Sequence, residues 1–266
     1  MGSFKDLSKL RGLADAGLVV RSAGEQEQAR RTGEQQRRQA AAEARAAEVV
    51  AGAPQYPWAR PGTLAEVRAM LAEHATAFSL ADRGEVEMVL DVEALVGPAQ
   101  IADGDVAIEE LRLPREGTAL YVRGDLTVTG RIVQRFSAGP LVVFGSLRAR
   151  NLVTTGQILV LGDLEVTGTL YGNCTNHATT VLGAARVGAL LSAKAHQFSF
   201  AGPRAIGELV DVDPPAPNFD LYAQATPRST RTIDPDIGDP HDEAAIASAL
   251  ATRDDVLVRG AATPPT

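Results

Sequence analysis

The feature that most constrains the fold of this chain is an eleven-residue segment that occurs twice. "VRGDLTVTGRI" begins at Val122 and "VLGDLEVTGTL" begins at Val160, so that their glycines are 38 residues apart (162 − 124). Weaker copies place glycines at 104, 145, 183 and 202, and the successive spacings are 20, 21, 17, 21 and 19 residues. A unit of about 20 residues is too short for a pair of helices. The repeat therefore favours a solenoid built from strands.

The pattern inside each unit is that of a strand. Apolar residues occupy the second and fourth positions after glycine, as in Leu126 and Val128, or Leu164 and Val166. This two-residue period contradicts a helical face. We predict a mainly β protein with a single-stranded parallel β-helix of about six or more rungs over residues 101–212. An antiparallel meander or sandwich is the alternative, because short strands with frequent turns would permit it.

The 38-residue spacing also indicates that odd and even rungs differ. The even rungs carry Arg148, Arg150 and Arg186 at positions that we expect to point outward. These three candidate binding residues predict a basic strip for an anionic partner. We expect glycine at each corner because the backbone needs conformational freedom there, and we interpret the aspartate that follows it as a turn former.

The segments on the N-terminal side of the repeats differ from the repeats in composition. Residues 1–60 are predicted to be a helical or disordered arm and linker, whose Tyr56 and Trp58 dock on the body. Within residues 61–100, "TLAEVRAMLAEHATAF", Thr63 to Phe78, combines a capping box with apolar residues at helical spacing. We predict a helix that caps the first rung, followed by lead-in strands, because a solenoid exposes unpaired edges at its ends.

The C-terminal side is predicted to supply a second cap. Residues 213–266 begin with a loop rich in Pro and Asp, where prolines exclude a continuous helix or inner strand. A capping helix is predicted at Asp242–Ala251 and a short strand at Val256–Val258.

The charge is unevenly distributed. The net charge of −7 divides into +2 for residues 1–50, −5 for 51–103, +2 for 104–210 and −6 for 211–266. This balance argues against direct nucleic-acid binding and leaves room for a basic protein partner.

No run approaches the roughly 18 apolar residues of a membrane span, and the first residues lack a signal-peptide core, so we expect no membrane contact and a cytoplasmic location. The single cysteine, Cys174, excludes an internal disulfide and any multi-cysteine metal motif.

The best candidates for chemistry are two histidines. His177 and His196 are 19 residues apart, about one rung, and are expected to stack at one corner beside Asn173 or Asn176. Two histidines without a carboxylate make a poor metal site, so we predict no metal and no cofactor, and turn capping is the simpler role. His177 is also a candidate base of an acyltransferase, but such left-handed β-helix enzymes keep a strict six-residue frame. No nucleophile, base and orienting group occur together, so we predict a protein that is not an enzyme.

The rungs resemble a known group of proteins. "GDLTVTG", "GSLRARNLVTTG", "LVLGDLEVTGTLYGNCTNHATTVLGAARVGALLSAKAH" and "AIASALATRDDVLVRG" look like bacterial β-solenoid proteins found beside polymorphic toxins and regarded as probable immunity proteins. The resemblance covers about residues 85–260, and the Asn-His corner of that group is matched by Asn176-His177, with His196 one rung later. It implies a non-catalytic protein that neutralises a cognate toxin by occlusion, and the acidic flanks would suit a basic toxin.

A looser resemblance connects the rungs to bactofilins, the bacterial cytoskeletal β-helices that polymerise end to end. The predicted caps would obstruct such stacking, so a bactofilin-like scaffold is the second interpretation. An acyltransferase-type β-helix enzyme is the third. An oligomer is compatible with all three.

Overall fold

The computed structural model describes residues 56–74, 99–113, 119–135, 138–174, 177–212 and 229–259. Its secondary-structure elements are, in chain order, β1 (Arg60–Gly62), α1 (Leu64–Glu73), β2 (Ala99–Ala102), β3 (Val106–Ile108), β4 (Leu111–Leu113), β5 (Ala119–Val122), β6 (Leu126–Gln134), β7 (Leu141–Val143), β8 (Leu147–Thr154), β9 (Ile158–Val160), β10 (Leu164–Asn173), β11 (Ala178–Val181), β12 (Ala185–Ala193), β13 (Gln197–Phe200), β14 (Arg204–Asp211), β15 (Arg231–Ile233), a 3₁₀ turn (Pro235–Ile237), α2 (Glu243–Ala249) and β16 (Leu257–Arg259). The N-terminal arm up to residue 55, the lead-in strands before residue 99 and most of the Pro-rich loop lie outside the described residues.

The strands form a parallel solenoid, as the glycine repeat predicts, but it has about five turns rather than six or more. The first sheet has the order β1-β2-β5-β7-β9-β11-β13, and the second has β14-β12-β10-β8-β6-β3, with β4 also paired to β6. Every step from one rung to the next is parallel. The antiparallel meander is therefore excluded for these strands. No helix among the described residues has the length and apolar character needed to cross a membrane.

The main hydrophobic core lies between the two sheets. It contains the residues at the second and fourth positions after the glycines at 124, 145, 162 and 183, such as Leu126 and Val128 of β6, which are at most 1% exposed. The degenerate last rung departs from this pattern, because Arg204 is exposed. The first sheet contributes alternate residues, including Leu120 and Val122 of β5. The alternation in the sequence therefore assigns the inward rows correctly.

The second half of each long strand is apolar on both faces. In β6, Ile132 belongs to the core between the sheets, whereas the adjacent Val133 belongs to a separate cluster on the outside. The outward row of this second sheet continues in parallel register through the next strands, with the members Val133, Val153, Tyr171, Leu191 and Val210. Helix α2 covers this row with Ile246, and Leu250, the residue after the helix, adds to the cover; both are 0% exposed.

The two predicted helices are present, but their described contacts are with sheet faces rather than with the solenoid ends. Helix α1 begins after the predicted capping box, in which the Glu66 amide donates to Thr63 Oγ1 over 3.2 Å and the Thr63 amide donates to the Glu66 carboxylate over 2.8 Å. Its Val67 and Met70 pack on the outward row of the first sheet, beside Tyr121. The apolar outward rows account for this position, because packing a helix against them removes apolar surface from water.

The N-terminal end of the first sheet is closed by the segment that precedes α1. Strand β1 pairs antiparallel with β2 and so occupies the edge of that sheet. The Tyr56 hydroxyl donates to the Arg112 carbonyl over 3.1 Å, and its ring stacks on Trp58 with the centroids 5.0 Å apart. Both aromatic residues belong to or pack against the core, as predicted for the linker.

The corner glycines are required by close approach and not by conformational freedom. The Gly162 amide donates to the Gly145 carbonyl over 2.9 Å, and the Gly183 amide donates to the Gly162 carbonyl over 3.0 Å. A Cβ built on Gly162 would lie 2.6 Å from the Gly145 oxygen, which is a severe overlap. Within the described residues Gly238 is the glycine with a positive φ, so the prediction that the corners need the conformational freedom of glycine is wrong.

The aspartates after these glycines connect one rung to the next. The Ser146 amide donates to Asp125 Oδ1, and the Ala184 amide donates to Asp163 Oδ1, each over 2.8 Å. Each carboxylate thus satisfies a backbone donor that a corner would otherwise leave unpaired. These residues bridge rungs, which goes beyond the turn-forming role that the sequence predicts.

The alternation of odd and even rungs corresponds to β-bulges. The register between β6 and β8 shifts by one residue between Val128 and Arg131, and β10 shifts in the same way against both of its neighbours. The extra residue lies in the segments Thr129–Gly130 and Thr167–Gly168, which belong to the two copies of "VTG". The eleven-residue segment therefore recurs because two of the strands carry the same bulge.

Candidate functional site

The structure places the two candidate histidines at equivalent positions of successive rungs. His177 and His196 precede β11 and β13, and the register of these strands pairs Ala178 with Gln197. The prediction that both lie at one corner is therefore confirmed. Asn176, the third candidate at this corner, lies outside the described residues.

His196 is enclosed within the corner. Its side chain is 1% exposed and sits beside Gly172, where a Cβ would lie 2.3 Å from the ring atom Cδ2. Nε2 lies 3.1 Å from Thr179 Oγ1, while Nδ1 is buried without a hydrogen-bond partner of normal geometry in the described part of the chain. Burial lowers the pKa of His196 to about 3, an effect that the backbone of Cys174 only partly offsets, so the imidazole is neutral at physiological pH.

The turn that leads to His196 has an unusual backbone. Lys194 and Ala195 have φ angles of 50° and 55°, in the left-handed region, where a residue with a Cβ is disfavoured by roughly 1–2 kcal/mol. The His196 amide donates to the Ala193 carbonyl over 3.1 Å and closes the turn. Lys and Ala carry no sequence signal for this conformation, so the sequence could not predict it.

His177 is the more accessible base of the pair. It is half-buried, and burial lowers its pKa as well. The described residues contain no group of three or more His, Cys, Asp or Glu that could hold a metal ion, and the neighbouring Cys174 is buried. The geometry thus provides one half-buried imidazole, that of His177, beside the fully enclosed imidazole of His196.

The same corner holds the C-terminal segment of the chain. Asn173 Nδ2 donates to the His241 carbonyl over 2.8 Å, and the Tyr171 hydroxyl donates to the Pro240 carbonyl over 2.7 Å. These contacts join β10 to a segment about 70 residues later. Because these partners are so distant in sequence, no local pattern indicates them.

The predicted basic strip is of mixed charge. The strand register aligns Arg148, Glu165 and Arg186 on adjacent strands. Glu165 lies 4.0 Å from Arg148 Nε and 3.9 Å from Arg186 Nη1, and Arg148 Nη1 donates to Asp125 Oδ2 over 3.0 Å. The row therefore alternates in sign, which corrects the expectation of a purely basic surface.

Arg150 is not part of this row. Its Nη2 donates to the Ala251 carbonyl over 3.2 Å, and its Nη1 lies 3.8 Å from Asp254 Oδ1. Arg150 thus contacts the C-terminal segment of its own chain, and its role in binding a partner stays a prediction.

The adjacent Asn151 completes the attachment of this segment. It is 0% exposed, its Nδ2 donates to the carbonyls of Leu250 and Arg253 over 3.2 and 2.9 Å, and its Oδ1 accepts from the Thr169 amide over 2.8 Å. The bulge at Gly168 makes room for this side chain, since a Cβ there would lie 2.4 Å from Asn151 Oδ1. Asn151 was not predicted from the sequence, although a polar residue within the apolar "NLV" strand is a detectable signal.

One surface of the second sheet remains uncovered by its own chain in the described structure. We call it the open face and define it by the outward row across five strands, Thr127, Arg148, Glu165, Arg186 and Ala205. These residues are exposed or half-buried, and the Arg186 side chain is 78% exposed. Two shallow depressions of about 380 and 460 Å³ lie on it, and both include Glu165 and Arg186 in their linings.

Comparison of the chain with protein-family models, with curated proteins and with solved structures found no match in any of the three.

Proposed function

We propose that this protein is a non-catalytic binding protein that recognises another protein through the open face. The observation that carries the proposal is the contrast between the outward rows. The apolar rows of both sheets are covered by α1 and α2, whereas the row that contains Arg148, Glu165 and Arg186 stays exposed.

The physical properties of the open face favour protein recognition. Neighbouring strands are about 4.8 Å apart, so the row presents charges of alternating sign at a fixed spacing. The hydrogen-bond ladders of the parallel sheet hold these positions, and a surface that is already ordered loses little entropy on binding. The two depressions can accept side chains of a partner, while the alternating charges set its orientation.

A more specific proposal is that the partner is a toxin and that binding neutralises it by occlusion. The resemblance of the rungs to solenoid proteins found beside polymorphic toxins supports this class. The acidic segments of the chain, −5 over residues 51–103 and −6 over residues 211–266, would accelerate encounter with a basic toxin.

The test uses the full chain and the protein encoded by the adjacent gene. We expect that protein to inhibit bacterial growth when expressed alone, and co-expression of the full chain to restore growth. Reversing two charges with Glu165→Arg and Arg186→Glu should weaken binding by about tenfold or more, because each partner contact then meets a like charge. Arg68→Glu, on the exposed face of α1, is the matched control and should bind normally.

A neighbouring protein that is neither toxic nor bound would contradict the immunity proposal. Normal binding by the double charge reversal would contradict the assignment of the open face. Circular dichroism and thermal unfolding of each variant separate these results from a loss of folding.

A bactofilin-like scaffold is the second candidate function, and a specific observation favours it. Strands β3 and β14 are the outermost strands of the second sheet, and most residues of β14 between Arg204 and Gly207 are exposed. Both helices lie on sheet faces. Their described contacts therefore do not include a solenoid end, where the expected helical caps would obstruct end-to-end stacking. Salt-stable filaments in negative-stain images would support the scaffold, and a particle of constant mass by light scattering at all concentrations would contradict it.

A further inference from the structure

A groove separate from the open face lies between helix α2 and the first strands of the second sheet. Its volume is about 630 Å³, which is within the range of sites that hold small molecules or short peptide segments. Strands β4 and β6 form its floor, and α2 forms one wall.

The groove is lined by three arginines. Arg112, Arg131 and Arg135 all contribute to the lining, and no Asp or Glu among the described residues does. Glu110 forms ion pairs with Arg112, at 3.1 Å, and with Arg131, so one carboxylate is shared by two guanidinium groups. Arg135 is exposed and forms no ion pair in the described part of the chain. The groove therefore carries an excess of positive charge within an acidic protein.

The rest of the lining is small or apolar. Leu113 and Val133, both at most 8% exposed, lie on the floor, and Val133 is the first apolar member of the outward row of the second sheet. On the wall, Ala247 and Ser248 lie one turn of α2 after Ala244. Their short side chains leave the space open.

The two properties together define the chemistry of the ligand. Guanidinium groups bind carboxylates through paired, charge-assisted hydrogen bonds, and an apolar floor accepts an aliphatic side chain. A long polyanion such as a nucleic acid would extend beyond the groove and be repelled by a chain with a net charge of −7. A short segment experiences mainly the local field, because charges are screened over about 8 Å at physiological salt.

We propose that this groove binds an acidic segment of a partner protein, with carboxylates on Arg135 and on Arg112, whose side chain is 61% exposed, and an aliphatic side chain over Val133. Arg131 serves as a positioned neighbour, since it already pairs with Glu110 and donates to the Ala247 carbonyl. This site uses none of the open-face residues, so it can stand or fall independently of the function proposed above.

The experiment measures binding of a labelled peptide to the full chain by fluorescence anisotropy. The probe is an acetylated hexapeptide of alternating Glu and Leu, and the same peptide with Gln in place of Glu tests the role of the carboxylates. We expect the Glu peptide to bind about tenfold more tightly than the Gln peptide, which corresponds to the loss of one charge-assisted contact.

Two variants test the groove itself. Arg135→Gln removes the arginine that has no ion pair with any described residue and should weaken binding by about tenfold, whereas Arg68→Gln, an exposed arginine on α1, should leave binding unchanged. Ala244→Leu should weaken binding to a similar degree, because it fills the groove from an exposed helix position and leaves every arginine in place.

Three outcomes would overturn the proposal. They are no binding at about 1 mM peptide, equal binding of the Glu and Gln peptides, and displacement of the peptide by oligothymidylate at a lower concentration than by unlabelled peptide. The last result would reassign the groove to phosphate recognition. Normal thermal unfolding of Arg135→Gln and Ala244→Leu would exclude misfolding as the cause of lost binding.

Discussion

Acidification should destabilise this protein through the buried imidazole of His196. Burial lowers the pKa of His196 to about 3 in the folded state, whereas the unfolded chain has the ordinary value of 6.5. Below pH 6.5 the unfolded chain therefore binds a proton that the folded chain excludes. The stabilisation is complete above this pH and is lost progressively as the pH falls towards the folded-state pKa.

The magnitude follows from the pKa difference. Each pH unit below 6.5 lowers the free energy of unfolding by about 1.4 kcal/mol, so a change from about pH 7.5 to about pH 5 should remove about 2 kcal/mol. This window lies above the ordinary pKa range of carboxylates, which limits their contribution. His177 has a pKa lowered by burial too and adds a loss of the same sign.

Urea unfolding at several pH values measures this effect. His196→Gln keeps a neutral polar side chain opposite Thr179 and should lose most of the dependence on pH, although it should also be less stable at neutral pH. His177→Gln is the matched control and should retain the larger part of the dependence. If His196→Gln lost as much stability on acidification as the unaltered chain, or if the imidazole titrated near 6.5 in the folded protein by NMR, the reasoning would be refuted.

Three substitutions test other parts of the solenoid, each by urea unfolding. Gly162→Ala should lower the free energy of unfolding by about 1–3 kcal/mol, because its Cβ meets the carbonyl of the preceding rung. Gly104→Ala, where a Cβ meets nothing within 4 Å, should be close to neutral. Equal effects of the two substitutions would contradict the close-approach argument. Asn151→Ala should cost about 2–4 kcal/mol and accelerate hydrogen exchange in α2, since two carbonyls and one amide lose their buried partner; unchanged exchange would show that the apolar contacts alone hold the helix. Ala195→Gly should stabilise by about 0.5–1 kcal/mol because φ is 55° there, whereas Ala205→Gly in β14 should destabilise, and a loss in both would mean that the turn is not strained.

The glycine frame and the two-residue alternation were sufficient to predict the parallel solenoid and its inward rows. They also predicted both helices and the capping box at Thr63 to within a few residues. These features depend on local pattern, which is the information that a single sequence carries most directly.

The position of the helices could not be predicted from the same pattern. Alternation distinguishes inward from outward residues but does not say what covers an outward apolar row. The pairs Ile132-Val133 and Leu190-Leu191 already indicated apolar character on both faces of the strand. The identity of the cover depends on contacts about 100 residues apart, such as Asn151 with Leu250, for which one sequence contains no signal.

The candidate site was predicted in part. The one-rung spacing placed His177 and His196 correctly because register follows directly from the length of the repeat. The arginines were judged by alternation alone, which could not show that Glu165 lies between Arg148 and Arg186 or that Arg150 binds the C-terminal segment. The arginine groove was missed because it joins residues 112–135 to residues 244–248.

The bulged strands have a consequence for how a solenoid of this type can change its length. Each bulged strand lies between unbulged neighbours, and Gly168 in one bulge accommodates a side chain from the preceding rung. Excision of the β8 rung would place the bulged β6 directly beside the bulged β10 and remove the Asn151 side chain that Gly168 accommodates. The unbulged β12 and β14, by contrast, already pair without a register shift. A change of two rungs, the 38 residues that separate Gly124 from Gly162, would keep the alternation intact. We therefore expect viable insertions and deletions between β6 and β12 to come in units of two rungs, whereas a single unbulged rung should be tolerated beside β14.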